Sequence, residues 1–464
     1  KVFGFLEACQ SDYRLTGRRL VEMVFVSKPA QMAKNRPNIL LLISHDLGCH
    51  IGPYGVIPDA CPRLNRFAEE AARLDAHFVT SPGCSQSRSS LITGRYPHAN
   101  GQFGLAHLGW DLNRDEVVLP AVLRDAGYRT AMFGIWHLHE WTLEGFCDVS
   151  DDVSTRDSSP EGRAEIAGSR AADWLRDNGG RDEPFYLHVG FWEAHRPFCG
   201  QAGDATELLE LDAANVDVPP YLPDNEATRR ECGHLRKSVE SVDSSVDQIL
   251  DALDASGQRD NTIVIFTSDH GLPFPRAKGT LYDPGIQVAF LARWPGRIQP
   301  GTLVSALTSN ADVMPTLLEA AGAAIPDRIQ GESFLGAMTG GGTPSRASVF
   351  AEKTYHEHYD PIRCVRTQRH KFIRNFEERP NLVMPSDIYN STTRQSMTDD
   401  ESLWGRRPSE ELYDLQADAG ELNNLALHPG MQEIKRGLKL QLIDWMSETD
   451  DPLLKGPVAR PGVV

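Results

Sequence analysis

Asn38-Ile39-Leu40-Leu41-Leu42-Ile43-Ser44-His45-Asp46-Leu47-Gly48 decides how this chain is built. Ile39 to Ile43 form an unbroken apolar run behind Pro37, and polar residues arrive only at its carboxyl end. A parallel strand buried on both faces needs such a run, because neither of its faces meets water. Three further runs share the design. Tyr128 to Phe133 delivers Gly134-Ile135-Trp136-His137, Phe185 to Gly190 delivers Glu193-Ala194-His195-Arg196, and Thr262 to Phe266 delivers Thr267-Ser268-Asp269-His270-Gly271. In an open parallel sheet ligands bind just beyond the carboxyl ends of the strands. The clusters His45-Asp46, His137, His195 and Asp269-His270 are therefore expected to converge on one place.

Between the strands lie helical patterns. Arg63 to Phe78 carries Leu64, Phe67, Ala68, Ala71 and Leu74 at helical spacing and is predicted to cover the sheet. Leu119 to Ala126 reads as a helix ended by Gly127, followed by helices from about Glu165 to Arg176 and from Cys232 to Leu253. Tyr96 to Asp111, with His98, His107 and Trp110, reads as an irregular loop, residues 147–163 as an acidic, Ser-rich surface loop, and Val288 to Leu291 as a further strand.

The Gly- and Thr-rich stretch from Gly336 to Ser345 reads as a boundary. Beyond it Ser348 to Ala351, Ile362 to Thr367, Lys371 to Asn375 and Glu411 to Leu415 are predicted strands, and Met431 to Trp445 an amphipathic helix. The expected class is α/β: a large, mostly parallel sheet between helices over 36–340, then a smaller antiparallel sheet with a helix over 346–464. Residues 1–35 form an extension of unknown role.

The chain has 464 residues, enough for both parts, and a net charge of −17, which argues against nucleic acid and anionic membranes as partners. An anionic substrate must be met by local positive charge. The eight cysteines include no CxxC pair, so they read as reduced thiols. No apolar run reaches the length of a membrane span and no export leader is evident, so the chain reads as soluble, leaning cytoplasmic.

One stretch carries candidate chemistry: Pro82-Gly83-Cys84-Ser85-Gln86-Ser87-Arg88-Ser89-Ser90-Leu91-Ile92-Thr93-Gly94. Gly83 frees the backbone, the Ser/Gln/Ser run can cap a turn, and Leu91 and Ile92 can bury a short helix. The free amides of that helix would face an anion, and Arg88, one turn beyond Cys84, would add a positive fork. A buried structural cysteine is the plainer reading of the same residues.

Taken together, these motifs resemble the type I sulfatases of the alkaline-phosphatase superfamily over about residues 36 to 450. The match rests on Cys84-x-x-x-Arg88 with Leu91-x-Thr93-Gly94-Arg95, Gly134-x-Trp136-His137, Thr267-Ser268-Asp269-His270-Gly271, Lys278-Gly279-Thr280-Leu281-Tyr282 and Glu411-Leu412-Tyr413-Asp414-Leu415. Ser44-His45-Asp46-Leu47-Gly48, Gly104-Leu105 with Gly109-Trp110-Asp111-Leu112, and Tyr355-His356 with Tyr359-Asp360-Pro361-Ile362-Arg363 look most like the heparan N-sulfatase (sulfoglucosamine sulfohydrolase) branch. The resemblance implies an alkaline-phosphatase-like fold and hydrolysis of a sulfate ester or sulfamate, on a sugar or aryl sulfate. It also implies that a formylglycine-generating enzyme converts Cys84 to formylglycine, whose hydrate is the nucleophile. A thiolate on sulfur would form an adduct with no easy exit, whereas one hydroxyl of a geminal diol attacks and the other later loses its proton to expel sulfate.

The resemblance assigns one divalent metal to His45, Asp46, Asp269 and His270. Calcium is usual in the family, while two imidazoles also suit Mn²⁺ or Zn²⁺. Arg88 would orient the nucleophile, His137 deprotonate the covalent intermediate, and His195 and Lys278 hold the sulfate and assist the leaving group. His107, Trp110, His356, His358 and Arg363 are expected near the substrate. Two positions depart from the family pattern: Gln86 stands where proline is usual and Ile135 where lysine is usual. A phosphonate or phosphate ester hydrolase, and an inactive carbohydrate-binding homologue retaining the Cys84 thiol, are the alternatives. A homo-oligomer is left open.

Overall fold

The computed structural model describes residues 36–146, 149–152, 163–199, 216–342, 344, 346–397 and 401–460. The expected extension at 1–35 lies outside them. The strand read from the opening stretch is β1, Asn38–Ser44, buried at every residue. After it come the helix α1 (Pro62–Glu69), β2 (Ala72–Leu74), β3 (His77–Phe78), α2 (Cys84–Thr93), α3 (Leu119–Asp125), β4 (Arg129–Gly134) and β5 (Val149–Asp152). Then follow α4 (Arg163–Asn178), β6 (Phe185–Phe191), α5 (Glu226–Ala255), β7 (Thr262–Ser268), β8 (Phe290–Arg293), β9 (Leu303–Val304), β10 (Thr308–Ser309) and α6 (Val313–Ala321).

The large sheet has eight strands in the order β5-β4-β6-β1-β7-β8-β2-β9. Its pairs are parallel from β5 to β7 and again at β2/β9, and only β8 runs against both its neighbours. Alternate residues of β1 serve opposite cores. Leu40 and Leu42 pack with α1, α4 and α5, whereas Ile39, Leu41 and Ile43 pack with α2, α3 and α6. Burying both faces in this way is what the uninterrupted apolar run signals.

Two expectations are corrected here. The helix predicted over Arg63 to Phe78 stops at Glu69, and the rest of the segment forms the short strands β2 and β3. Ala72-Arg73-Leu74 alternates buried, half-buried and buried, a strand period that overrides the weaker helical spacing. Within the predicted loop at 147–163, Val149–Asp152 pairs in parallel with β4 as an edge strand. Leu335–Thr339, which overlaps the start of the predicted boundary, is a helical turn.

The smaller sheet is antiparallel and four-stranded: β11 (Ser348–Tyr355), β12 (Tyr359–Thr367), β13 (His370–Asn375) and β14 (Glu410–Asp414). The last helix, α7 (Gln432–Glu448), packs Leu438, Leu442, Trp445 and Met446 onto it. The two sheets are bound by a shared core, in which Phe78, Val288 and Leu307 meet Val349, Ala351, Ile362 and Cys364. Six cysteines among the described residues are free thiols. No described helix is long and apolar enough to cross a membrane.

Buried imidazoles give this fold an acid limit. The ring of His77 joins β3 to β10, bonding Thr308 Oγ1 at 2.9 Å and Asn310 Oδ1 at 3.0 Å. Burial lowers its pKa from 6.5 to about 4. Between those values the unfolded chain binds the extra proton, so stability is complete above about pH 6.5 and falls by up to about 3 kcal/mol as pH drops towards 4. Urea unfolding followed from pH 7 to pH 4 is expected to show this loss, and His77→Gln to flatten it.

Candidate active site

The parallel register of β1 and β7 sets Ser44 beside Ser268, so His45-Asp46 and Asp269-His270 leave the sheet side by side. Asp46 turns out of the strand with φ at +54°, and His137, three residues beyond β4, has φ at +62°. Left-handed backbone at two non-glycine residues is held only by a surrounding structure that fixes it, and such residues gather at functional sites. Glu193 O accepts from the His45 amide at 3.1 Å, tying the loop after β6 to the same end of the sheet.

Cys84 is the first residue of α2 and is buried. Gly83 caps the helix without a side-chain bond, so the Ser/Gln/Ser run does not cap it. Ser85 instead donates to His137 O at 2.8 Å, and Ser87 donates to Asp269 O. These bonds fix α2 against two of the strand-end loops. Gln86 Nε2 donates to Tyr355 O at 2.6 Å, joining α2 to the smaller sheet.

One ligand atom from each of His45, Asp46, Cys84, Asp269 and His270 lies within 4.8 Å of the others. His45 Nδ1 is 2.6 Å from Asp46 Oδ1, and His270 Nε2 is 3.0 Å from Asp46 Oδ1 and 3.2 Å from Cys84 Sγ. The outer partners hold these donors in place. His270 Nδ1 lies 3.0 Å from Gly271 O, which turns Nε2 towards the cluster. Lys278 Nζ donates to Asp46 Oδ2 at 2.7 Å, and Arg88 Nε donates to Asp269 Oδ2 at 2.9 Å. Two carboxylates, two imidazoles and a sulfur around one enclosed point form a donor set that fits a divalent cation.

The electrostatics follow from burial. Desolvation opposes charge on the His45 ring, but Asp269 and Asp46 outweigh it and lift the pKa to about 9. Desolvation likewise opposes a Cys84 thiolate, yet His45, Lys278 and His270 hold the thiol well below its usual range, helped by a hydrogen bond from His137. Cys84 therefore sits where an anion is stabilised, unlike Cys61 and Cys364, whose thiols burial pushes up to about 12.

His195 Nε2 stands 3.9 Å from Asp46 Oδ2, and its ring lies edge-on to His45 with centroids 4.7 Å apart. His107 stacks on His137, with Nδ1 3.3 Å from His137 Nε2 and ring planes 7° apart. Both ring nitrogens of the half-buried His356 are shielded and without a partner among the described residues, and His358 is exposed beside the loop around Pro385. Trp110 is buried, packed on Tyr355 with centroids 4.6 Å apart, so it supports the His107 loop from beneath.

Arg363 does not face this site. It is fully buried in β12, bonded to Asp451 at 2.6 Å and Glu352 at 3.1 Å, and its guanidinium neutralises two buried carboxylates. The pattern of Tyr355-His356 with Tyr359-Asp360-Pro361-Ile362-Arg363 places it in the right segment, but its position on the strand turns it into the core between β11 and the C-terminal tail. Asp387 is the residue that sequence reasoning missed. Its Oδ2 is 3.0 Å from Lys278 Nζ and 3.8 Å from His195 Nε2, although it lies 109 residues from Lys278 along the chain.

A sulfatase family model matches residues 37–323, and an N-sulphoglucosamine sulphohydrolase C-terminal model matches residues 270–392. The chain belongs to the sulfatase family. It is therefore an enzyme that hydrolyses sulfate esters or sulfamates, with the α/β architecture expected from its motifs. Human N-sulphoglucosamine sulphohydrolase is 28% identical over 474 residues, covering 92% of this chain and 93% of the human protein. An ulvan-active sulfatase of Formosa agariphila is 28% identical, covering 90% of this chain and 76% of its own length. A solved structure in complex with its substrate, D-glucosamine-2-N,6-O-disulfate, superposes with a TM-score of 0.67 at 21% identity, covering 90% of this chain and 98% of that one. The phosphonate monoester hydrolase of Silicibacter pomeroyi shares the fold at a TM-score of 0.69 and 20% identity, over 90% and 96% of the two chains.

The correction at Arg363 is testable. Arg363→Ala leaves Glu352 and Asp451 buried without their counter-charge, and urea denaturation is expected to record a loss of about 3–5 kcal/mol.

Proposed function

We propose that the chain is a formylglycine-dependent sulfatase that releases sulfate from a sulfated sugar, either as an O-ester or as a sulfamate. The observation that carries this reading is the meeting of Cys84, Arg88 and His137 with the donors His45, Asp46, Asp269 and His270 at one end of the sheet. The action of the human and Formosa relatives on N-sulphoglucosamine and ulvan supports a sugar substrate.

His45, Asp46, Asp269 and His270 would hold one divalent cation, with the group at position 84 beside it. Two imidazoles favour Mn²⁺ or Zn²⁺ over the calcium usual in the family. When bound, the cation polarises the sulfate oxygens and lowers the pKa of the hydroxyl on the modified residue. Arg88, anchored on Asp269 and on Ile135 O at 3.0 Å, orients the side chain at 84 and offsets its charge. His137 accepts its proton, and the stacked His107 keeps that imidazole in plane. His195 and Lys278 bind the sulfate oxygens and face the leaving group.

Because α2 is buried along its whole length, the thiol of Cys84 is closed to a modifying enzyme in the folded chain. Conversion must therefore precede folding, while Gln86 is still free of Tyr355.

The second reading, a phosphonate or phosphate ester hydrolase, draws on the same two imidazole ligands. Matched sulfate and phosphate monoesters separate the two. Sulfate release is expected to be the faster and to vanish in Cys84→Ala, while faster phosphate release would overturn the sulfatase reading.

A further inference from the structure

A line of hydrogen bonds runs from β3 to the backbone joining Asp269 and His270, and Asn310 is its middle member. Asn310 opens the helical turn Asn310–Asp312 directly after β10, whose parallel pairing with β3 sets Thr308 beside His77. Asp312 closes the turn by accepting from the Ser309 amide at 2.7 Å, which fixes the backbone around Asn310. On one side Asn310 Oδ1 is 3.0 Å from His77 Nε2, and on the other Asn310 Nδ2 donates to Ser87 Oγ at 2.8 Å. Ser87, in α2, donates in turn to Asp269 O. His77, Ser87 and Asn310 are fully buried, and the His77 ring packs on Phe290 with centroids 4.5 Å apart, so a broken link finds no replacement in bulk water.

The order of donors follows from the end of the line. Asp269 O is a carbonyl oxygen and can only accept, so Ser87 places its one proton there. Ser87 Oγ must then accept from Asn310, which presents its amide nitrogen and thereby turns Oδ1 to His77. Oδ1 also only accepts, so His77 Nε2 carries a proton. Each link therefore has one direction. Asp269 O belongs to the peptide unit between Asp269 and His270, two of the residues proposed above to hold a cation. The Asp269 amide is held by Ser44 O at 3.1 Å, and Ser87 is the one donor to its carbonyl among the described residues. Groups that fix the orientation of metal ligands from outside govern how well those ligands bind.

We propose that Asn310 is a positioning residue for the cation site: by committing the Ser87 proton to Asp269 O, it sets the peptide plane from which Asp269 and His270 present their ligand atoms. This rests on the reading of His45, Asp46, Asp269 and His270 as the holders of a divalent cation. The alternative is that Asn310 only joins β3, β10 and α2 in the folded core.

The test titrates the full-length protein with Mn²⁺ alone, following free Mn²⁺ by electron paramagnetic resonance, with residue 84 shown by mass spectrometry to be in one state throughout the set. Asn310→Asp keeps the shape and the acceptor facing His77, but removes the donor to Ser87 and offers the Ser87 hydroxyl a competing acceptor. It is expected to weaken Mn²⁺ binding about 10-fold, the lower end of the loss caused by removing an outer partner of a metal ligand. Asn310→Ala, which removes the donor without adding a buried charge, is expected to show the same loss. Ser87→Ala is expected to match it, and Asn310→Asp added to Ser87→Ala to cost nothing more, because both act through one bond. Wild-type Mn²⁺ affinity in a folded Asn310 variant, with only the urea midpoint lowered, would overturn the proposal in favour of the joining role, and so would losses that add in the double variant. A wild type that binds no Mn²⁺ would overturn the cation reading itself, and this inference with it.

Discussion

Asp46 and Asp269 are forced together by the pairing of Ser44 with Ser268, and both lie out of reach of water. Two carboxylates so placed repel each other and lose their hydration, and the polar architecture nearby answers that cost. Lys278 takes one oxygen of Asp46, Arg88 takes one oxygen of Asp269, and the Asp46 amide donates to Asp269 Oδ1 at 2.9 Å. The remaining negative field falls on the point shared with His45, His270 and Cys84. A cation is the natural occupant of such a point, and an atom bonded beside it is the natural place for a nucleophile.

The same constraint explains why the two sheets do not act separately. α2 must be fixed to keep Cys84 on that point, and it is fixed from both sides: Ser87 and Arg88 hold it to the loop after β7, and Gln86 holds it to the end of β11. Asp387 adds a second link, from the C-terminal part of the chain to Lys278. The C-terminal part of the chain is therefore tied to the strand-end cluster at two points, Tyr355 and Asp387.

Much of this was legible in the sequence because the relevant signals are local. β1, β6 and β7 announce themselves as apolar runs with polar ends, and the strand-end motifs carry their own spacing. Signals that depend on partners distant in the chain were not legible. Arg363 reads as a cation beside a histidine-rich loop, but a strand position aimed at Asp451 and Glu352 makes it part of the core. Asp387 sits in a stretch with no distinguishing pattern and gains meaning only from Lys278. The helix read over Arg63 to Phe78 was overextended because Ala71 and Leu74 continue its apolar spacing although the chain has already turned into β2.

Mass spectrometry of the peptide spanning Cys84, from protein produced together with a formylglycine-generating enzyme and active on a sulfated sugar, tests the central claim most directly. The account predicts a residue at 84 that resists thiol alkylation and carries an aldehyde in place of the thiol. An intact, alkylatable thiol in protein that still turns over its substrate would contradict it.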